Sequence, residues 1–132
     1  MLKLQHTGFI VSDIDKWESN MMFEQKIADV FDSHQQARIS LYKNFSSAFI
    51  ELIQPLNKDS YTWNALEKNG SHFHHFCYEV ENTVVLKKII DKYKMIEVLK
   101  PIPAVLFQNK FVTFYFNRNK QIVEFLINCY EN

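Results

Sequence analysis

The strongest constraint on this chain is an internal repeat at the scale of a whole module. The segment HTGFIV, His6 to Val11, aligns without gaps on HFCYEV, His75 to Val80, and a helical pattern follows each. Further on, FIELI (Phe49 to Ile53) aligns on IVEFL (Ile122 to Leu126) through the two glutamates. Each half therefore carries one histidine on its first strand-like segment and one glutamate on its last. The two spacings are 45 residues in the first half and 49 in the second.

The segments between these anchors read alike. Leu4 to Val11 alternates as a strand. SDIDKWESNM then opens a helix, capped by Ser12 or Asp13 and buried along Ile14, Trp17 and Met21. ARISLYK and SAFIELIQP are strand-like and joined by the polar turn NFSS; a short strand near Lys26 to Phe31 precedes them. NKDSYTWNALEKNG is a polar segment with a helical pattern and a C-terminal cap at Gly70. In the second half, HHFCYEV is the strand and ENTVVLKKIIDKY the helix, with Val85, Ile89 and Tyr93 on one face. A strand near Ile96 to Lys100 follows, then KFVTFYF and QIVEFLI joined by NRNK. Each half reads β-α-β-β-β and is too small to bury a sheet face alone.

Composition narrows the class. At 132 residues the chain is one domain's worth, and 47% hydrophobic content with twelve Phe argues against disorder. Lys plus Arg and Asp plus Glu are both 15 and scattered, so a nucleic-acid partner is not expected. No apolar run reaches membrane-spanning length, and the N-terminal segment lacks a signal-peptide core, so a cytoplasmic protein is expected. Cys77 and Cys129, far apart in strand-like segments, read as small buried hydrophobes in a reducing compartment.

Strand alternation gives the repeated residues a common purpose. His6, Gly8 and Ile10 share a face, as do Phe49, Glu51 and Ile53. His75, Cys77 and Glu79 share another, with Glu124 and Leu126 likewise. Phe9, Ile50, Leu52, Phe76, Tyr78, Val123, Phe125 and Ile127 take the opposite face, where helices would cover them. A glutamate inside an apolar strand is costly unless it is paired or metal-bound. Singly, each residue has a structural explanation: Glu51, for example, would pair with Arg38 or Lys43 across a hairpin. Together, two His and two Glu at matched positions suit one divalent ion of Zn, Co, Ni, Mn or Fe, with room for substrate oxygens.

With these stretches the chain resembles the vicinal oxygen chelate superfamily, the glyoxalase and bleomycin-resistance fold. It is most similar to the methylmalonyl-CoA epimerase branch and its glyoxalase-like bacterial relatives. HTGFIVSDID, IELIQPLNKDSYTWNALEKNG, HHFCYEVEN and IVEFLI carry the resemblance, which covers about residues 4 to 128. It implies an α+β fold of two tandem βαβββ modules forming one open-barrel mixed sheet. The boundaries are about 4–56 for module one, 57–72 for a helical linker and 73–129 for module two, within a single domain over 1–132. It implies metal ligation by His6, Glu51, His75 and Glu124. The activity implied is that of a metal-dependent isomerase or lyase that enolises an acyl thioester or related carbonyl compound, with Glu124 also acting as base. The substrate would be a small molecule, an acyl-CoA or acyl-carrier thioester, and the assembly a homodimer.

The chain also departs from that pattern. The family's second base, a glutamate about seventeen residues ahead of the strand ligand, falls here on His34 in FDSHQQARISLY, a residue type able to serve as a base near neutral pH. The family's glycine-containing loop is replaced by KPIPAVLFQNKF, bulkier and more apolar, and the turn NRNK lacks glycine. Glyoxalase I-like lactoylglutathione lyase chemistry and non-catalytic small-molecule binding are the competing functions. Arg38 and Lys110 are candidate substrate contacts. His74 is expected on the outer face or at the strand's start, and His72 in the preceding loop.

Overall fold

The computed structural model describes residues 2–131. They form two compact units, residues 6–74 and residues 2–5 with 75–131. The first module comprises β1 (Lys3–Ile10), α1 (Ile14–Ser19), β2 (Gln25–Asp32), β3 (Ala37–Lys43) and β4 (Phe49–Pro55). The connecting helix α2 (Trp63–Asn69) ends at Gly70, whose φ of 70° is a left-handed conformation that glycine adopts without a Cβ penalty. The second module comprises β5 (His72–Asn82), α3 (Thr83–Tyr93), β6 (Ile96–Pro103), β7 (Phe111–Phe116) and β8 (Ile122–Cys129).

The strand order is β2-β3-β4-β1 in one module and β6-β7-β8-β5 in the other, the same topology twice. In each, the first strand runs parallel to the last, and the remaining neighbours are antiparallel. The expected fold class, α+β with two tandem βαβββ modules and a mixed sheet, is the one observed.

A helix covers one sheet face in each module, and the burial follows the alternation. In the first, Ile14 and Trp17 of α1 pack with Phe9, Ile50, Leu52 and Tyr42. α1 starts at an Asp13 cap whose carboxylate accepts the Lys16 N–H, while the Ile14 N–H donates to Gln54 Oε1 at 2.8 Å. It stops at Ser19, earlier than expected, yet Met21 still reaches the same cluster from the turn beyond. In the second, Leu86, Ile89 and Ile90 of α3 pack with Tyr78, Val80, Val123, Phe125 and Ile127. The buried stripe differs from the expected Val85, Ile89, Tyr93: Leu86 anchors it, and Tyr93 is exposed at the helix end. Asn82 caps α3 by accepting the Val85 N–H, and Lys94 closes it in the left-handed conformation.

The first module also ties its helix down with charge. Arg38 on β3 donates to both oxygens of Asp29 (2.9 and 2.7 Å) and to Asp15 of α1 (3.0 Å). Lys26 bridges Asp29 and Glu18, and Glu18 accepts the hydroxyl of the buried Tyr42. Burial pushes the Tyr42 phenol up to about 12, and hydrogen bonding from Arg38 holds the Asp29 carboxyl well below its usual range. Of the two cysteines, Cys77 is buried as expected, but Cys129, the last residue of β8, is exposed.

Candidate functional site

The polar residues of interest lie on the sheet face that the helices leave uncovered. On β1 and β4, parallel register sets Gly8 beside Glu51 and Phe9 beside Leu52. Phe9 and Leu52 go to the α1 cluster, so His6 and Glu51 point the other way. Their side chains meet: His6 Nε2 is 3.3 Å from Glu51 Oε1, and both residues are buried, at 2% and 6% exposure. Neither Arg38 nor Lys43 takes Glu51, the former being bound to Asp29 and Asp15 and the latter to Glu24.

The second module repeats the arrangement. On β5 and β8, Cys77 lies beside Glu124, and Tyr78 beside Phe125 under α3. His75 Nε2 is 3.2 Å from Glu124 Oε1, with the residues 0% and 3% exposed. The ring of Phe114, itself buried, meets His75 edge-on at 5.4 Å between centroids. Sequence reading passed over Phe114. The signal was available, because the NRNK turn sets the β7–β8 register and places Phe114 opposite Glu124.

Each pair has the donor chemistry of a metal half-site. A charge-assisted N–H···O bond runs at about 2.7–2.9 Å, shorter than either separation. Bonds of about 2.0–2.2 Å from one ion to nitrogen and oxygen, at octahedral to tetrahedral angles, leave the two ligand atoms about 2.8–3.6 Å apart. The observed 3.3 and 3.2 Å fall in that interval. Each of His6, Glu51, His75 and Glu124 is buried and offers one ligand atom, so the residues present fit a divalent cation.

The other expected residues are placed differently. His34 is exposed in the turn between β2 and β3, where its backbone N–H donates to Asp32, and its ring makes no hydrogen bond or ion pair among the described residues. Glu51 pairs with Leu41, whereas the far end of that strand pair is Ala37 with Pro55. About 14 Å of strand separates the two rungs, and His34 lies beyond the second, so the structure does not bring it to the His6–Glu51 pair. Arg38 is held by two carboxylates, which occupies its guanidinium. Lys110 lies with its ammonium 5.9 Å from the Phe107 ring centroid. His72 begins β5 instead of preceding it, its Nδ1 2.6 Å from the Gly70 carbonyl oxygen. His74 is buried, with its ring 6.4 Å from that of Tyr61.

This repeated module with a polar pair on the uncovered face defines a class. The sequence matches the glyoxalase/bleomycin resistance protein/dioxygenase superfamily over residues 5–114. The chain belongs to that superfamily. No curated protein matches it by sequence. Among solved structures it is similar to a hypothetical protein from Bacillus halodurans C-125, with TM-score 0.79 and 19% identity over 99% of this chain and 95% of that one. It is also similar to methylmalonyl-CoA epimerase from Mycobacterium tuberculosis, with TM-score 0.79 and 19% identity over 94% of this chain and 86% of the other. A third is a single-substitution variant of Streptomyces coelicolor methylmalonyl-CoA epimerase in complex with 2-nitronate-propionyl-CoA, with TM-score 0.77 and 18% identity over 95% of this chain and 96% of that one. At these identities the likeness is one of fold. Among the described residues, no helix is long and apolar enough to cross a membrane.

Proposed function

We propose that the protein is a metal-dependent isomerase or lyase that enolises an acyl thioester or a related α-acidic carbonyl compound. In this reading His6, Glu51, His75 and Glu124 together hold one divalent ion. The observation that carries it is the buried imidazole–carboxylate pair occurring twice, at 3.3 and 3.2 Å, on matched strands of a repeat. The four side chains make up a group that could hold a metal ion. The fold shared with methylmalonyl-CoA epimerases, one of them in complex with methylmalonyl-CoA, supports a thioester as substrate class.

A divalent ion bound there supplies Lewis-acid stabilisation of the charge that develops on a carbonyl oxygen as the α-proton leaves. The chain's own residues do the rest. Glu124 is assigned as the base: its carboxylate has a second oxygen beyond the one facing His75. Phe114 packs on His75 and fixes its ring plane. Burial of both pairs keeps bulk water from the carboxylates. In this reading His34, in an exposed turn between β2 and β3, takes no part in proton transfer.

The test is deuterium exchange at the α-carbon of two acyl-CoA thioesters, methylmalonyl-CoA and the uncharged butyryl-CoA, with metal analysis of the same samples. Wild type is expected to carry about one divalent ion and to exchange at least one of the two. Glu124→Ala should lose exchange by at least about a hundredfold, and His34→Ala should stay within about twofold. Wild type without stoichiometric metal would remove the basis of the reading, and a tenfold loss in His34→Ala would return that residue to the mechanism.

A further inference from the structure

Glu124 has an apolar surrounding that the sequence repeat does not demand. Strand register sets Cys77 beside it on β5, Phe114 opposite it on β7, and Val112 opposite the next residue on that face, Leu126. Cys77, Val112 and Leu126 form one buried cluster, and Ile102 of β6 packs against it with Ala104 and Phe107 of the following connection. That connection has a defined shape. The Ala104 N–H donates to the Lys110 carbonyl at 2.9 Å, the Lys110 N–H to the Phe107 carbonyl at 3.2 Å, and Asn109 turns the chain at φ 65°. Phe107 is thereby held over the cluster while keeping part of its ring accessible. Lys110, at the end of this connection, makes no ion pair among the described residues and lies against the Phe107 ring.

We propose that the half-buried Ile102, Ala104 and Phe107, backed by the buried Cys77, Val112 and Leu126, form a wall beside Glu124 that selects an uncharged, apolar acyl substituent, alkyl or aryl, in preference to a carboxylated one. The inference rests on the metal-dependent reading above and narrows its substrate class. Hydrocarbon placed against such a wall leaves water favourably. A carboxylate placed there gives up its hydration with no charged group among the six side chains to replace it, the Lys110 ammonium being engaged with the Phe107 ring. The bulky segment KPIPAVLFQNKF, which carries Ile102, Ala104 and Phe107, is thus a specificity element of the second module.

Two chelating probes separate the alternatives: butanehydroxamic acid and succinic monohydroxamic acid share a metal-binding head and differ by a terminal carboxylate. Isothermal titration of the cobalt-loaded full chain is expected to give at least about tenfold tighter binding of the butane compound. Phe107→Lys should reverse that order, with Ala104→Lys as the second variant if the first does not fold. Equal or tighter binding of the carboxylated probe by wild type overturns the inference. Cobalt content is measured on the same samples. Stoichiometric cobalt with neither probe bound overturns the wall alone, whereas absence of cobalt overturns the metal reading and the wall with it.

Discussion

The two modules share a backbone plan and differ in how each is held together. The first has a one-and-a-half-turn helix that relies on polar fastening: the Asp13 cap, the Gln54 acceptor, and the Arg38–Asp15–Asp29 and Lys26–Glu18 network. The second has an eleven-residue helix seated on a larger aromatic and aliphatic cluster, and the ion pair on that helix, Lys87 with Asp91, is exposed. The His–Glu separations are nonetheless 3.3 and 3.2 Å. A strand pair with its register fixed is therefore enough to place an imidazole against a carboxylate, whatever fastens the other face.

The largest effect that would test this contrast is in the two cores. Phe125→Ala in the second module should cost about 3–5 kcal/mol, and Leu52→Ala in the first about 2–4, since both side chains are almost wholly buried. Urea unfolding read by circular dichroism measures both. A larger loss for Leu52→Ala would mean the first module is not the less hydrophobically anchored one.

The pH dependence should separate the modules next. The folded-state pKa of Asp29 lies below its ordinary value, chiefly through the hydrogen bonds from Arg38. Its stabilisation is then fully present above the unfolded value of about 4 and is lost as pH falls through the lowered folded value. Asp29→Asn should cost about 1 kcal/mol at pH 7, allowing for solvent screening of a part-exposed pair. The difference from wild type should shrink below about pH 4. A gap that persists unchanged at pH 2.5, followed by thermal unfolding, would show that the network acts by packing and not by charge.

The smallest effect concerns the caps. Asn82→Ala should cost about 1 kcal/mol, since this side chain accepts the Val85 N–H at the start of α3. Asp13→Ala should cost roughly half as much, because Gln54 still accepts the Ile14 N–H of α1. The reverse order in denaturant titration would make the shorter helix the more cap-dependent one.

Particular residues show how far the sequence could be read. His6 and Glu51, His75 and Glu124 were legible because period-two alternation and a repeat are local patterns, visible without knowing which strands pair. The α1 stripe was legible for the same reason, down to Met21 beyond the helix end. Leu86 in place of Tyr93 was missed, because helix rotation is chosen by the cluster it covers and three neighbouring stripes of ENTVVLKKIIDKY are comparably apolar. His34 was placed by counting residues, but chain spacing does not measure distance once an antiparallel pair carries the turn away from the rung of interest.

The sequence by itself determined the doubled βαβββ plan, the face of each strand and the histidine and glutamate that each half presents, because these follow from short-range periodicity. Tertiary structure alone decided that Arg38 belongs to Asp29 and Asp15, that Phe114 lies on His75, and that Phe107 closes over Cys77 and Leu126. Those contacts join residues distant in the chain. Their choice depends on strand register and on competition among several partners for one side chain, which no local pattern encodes.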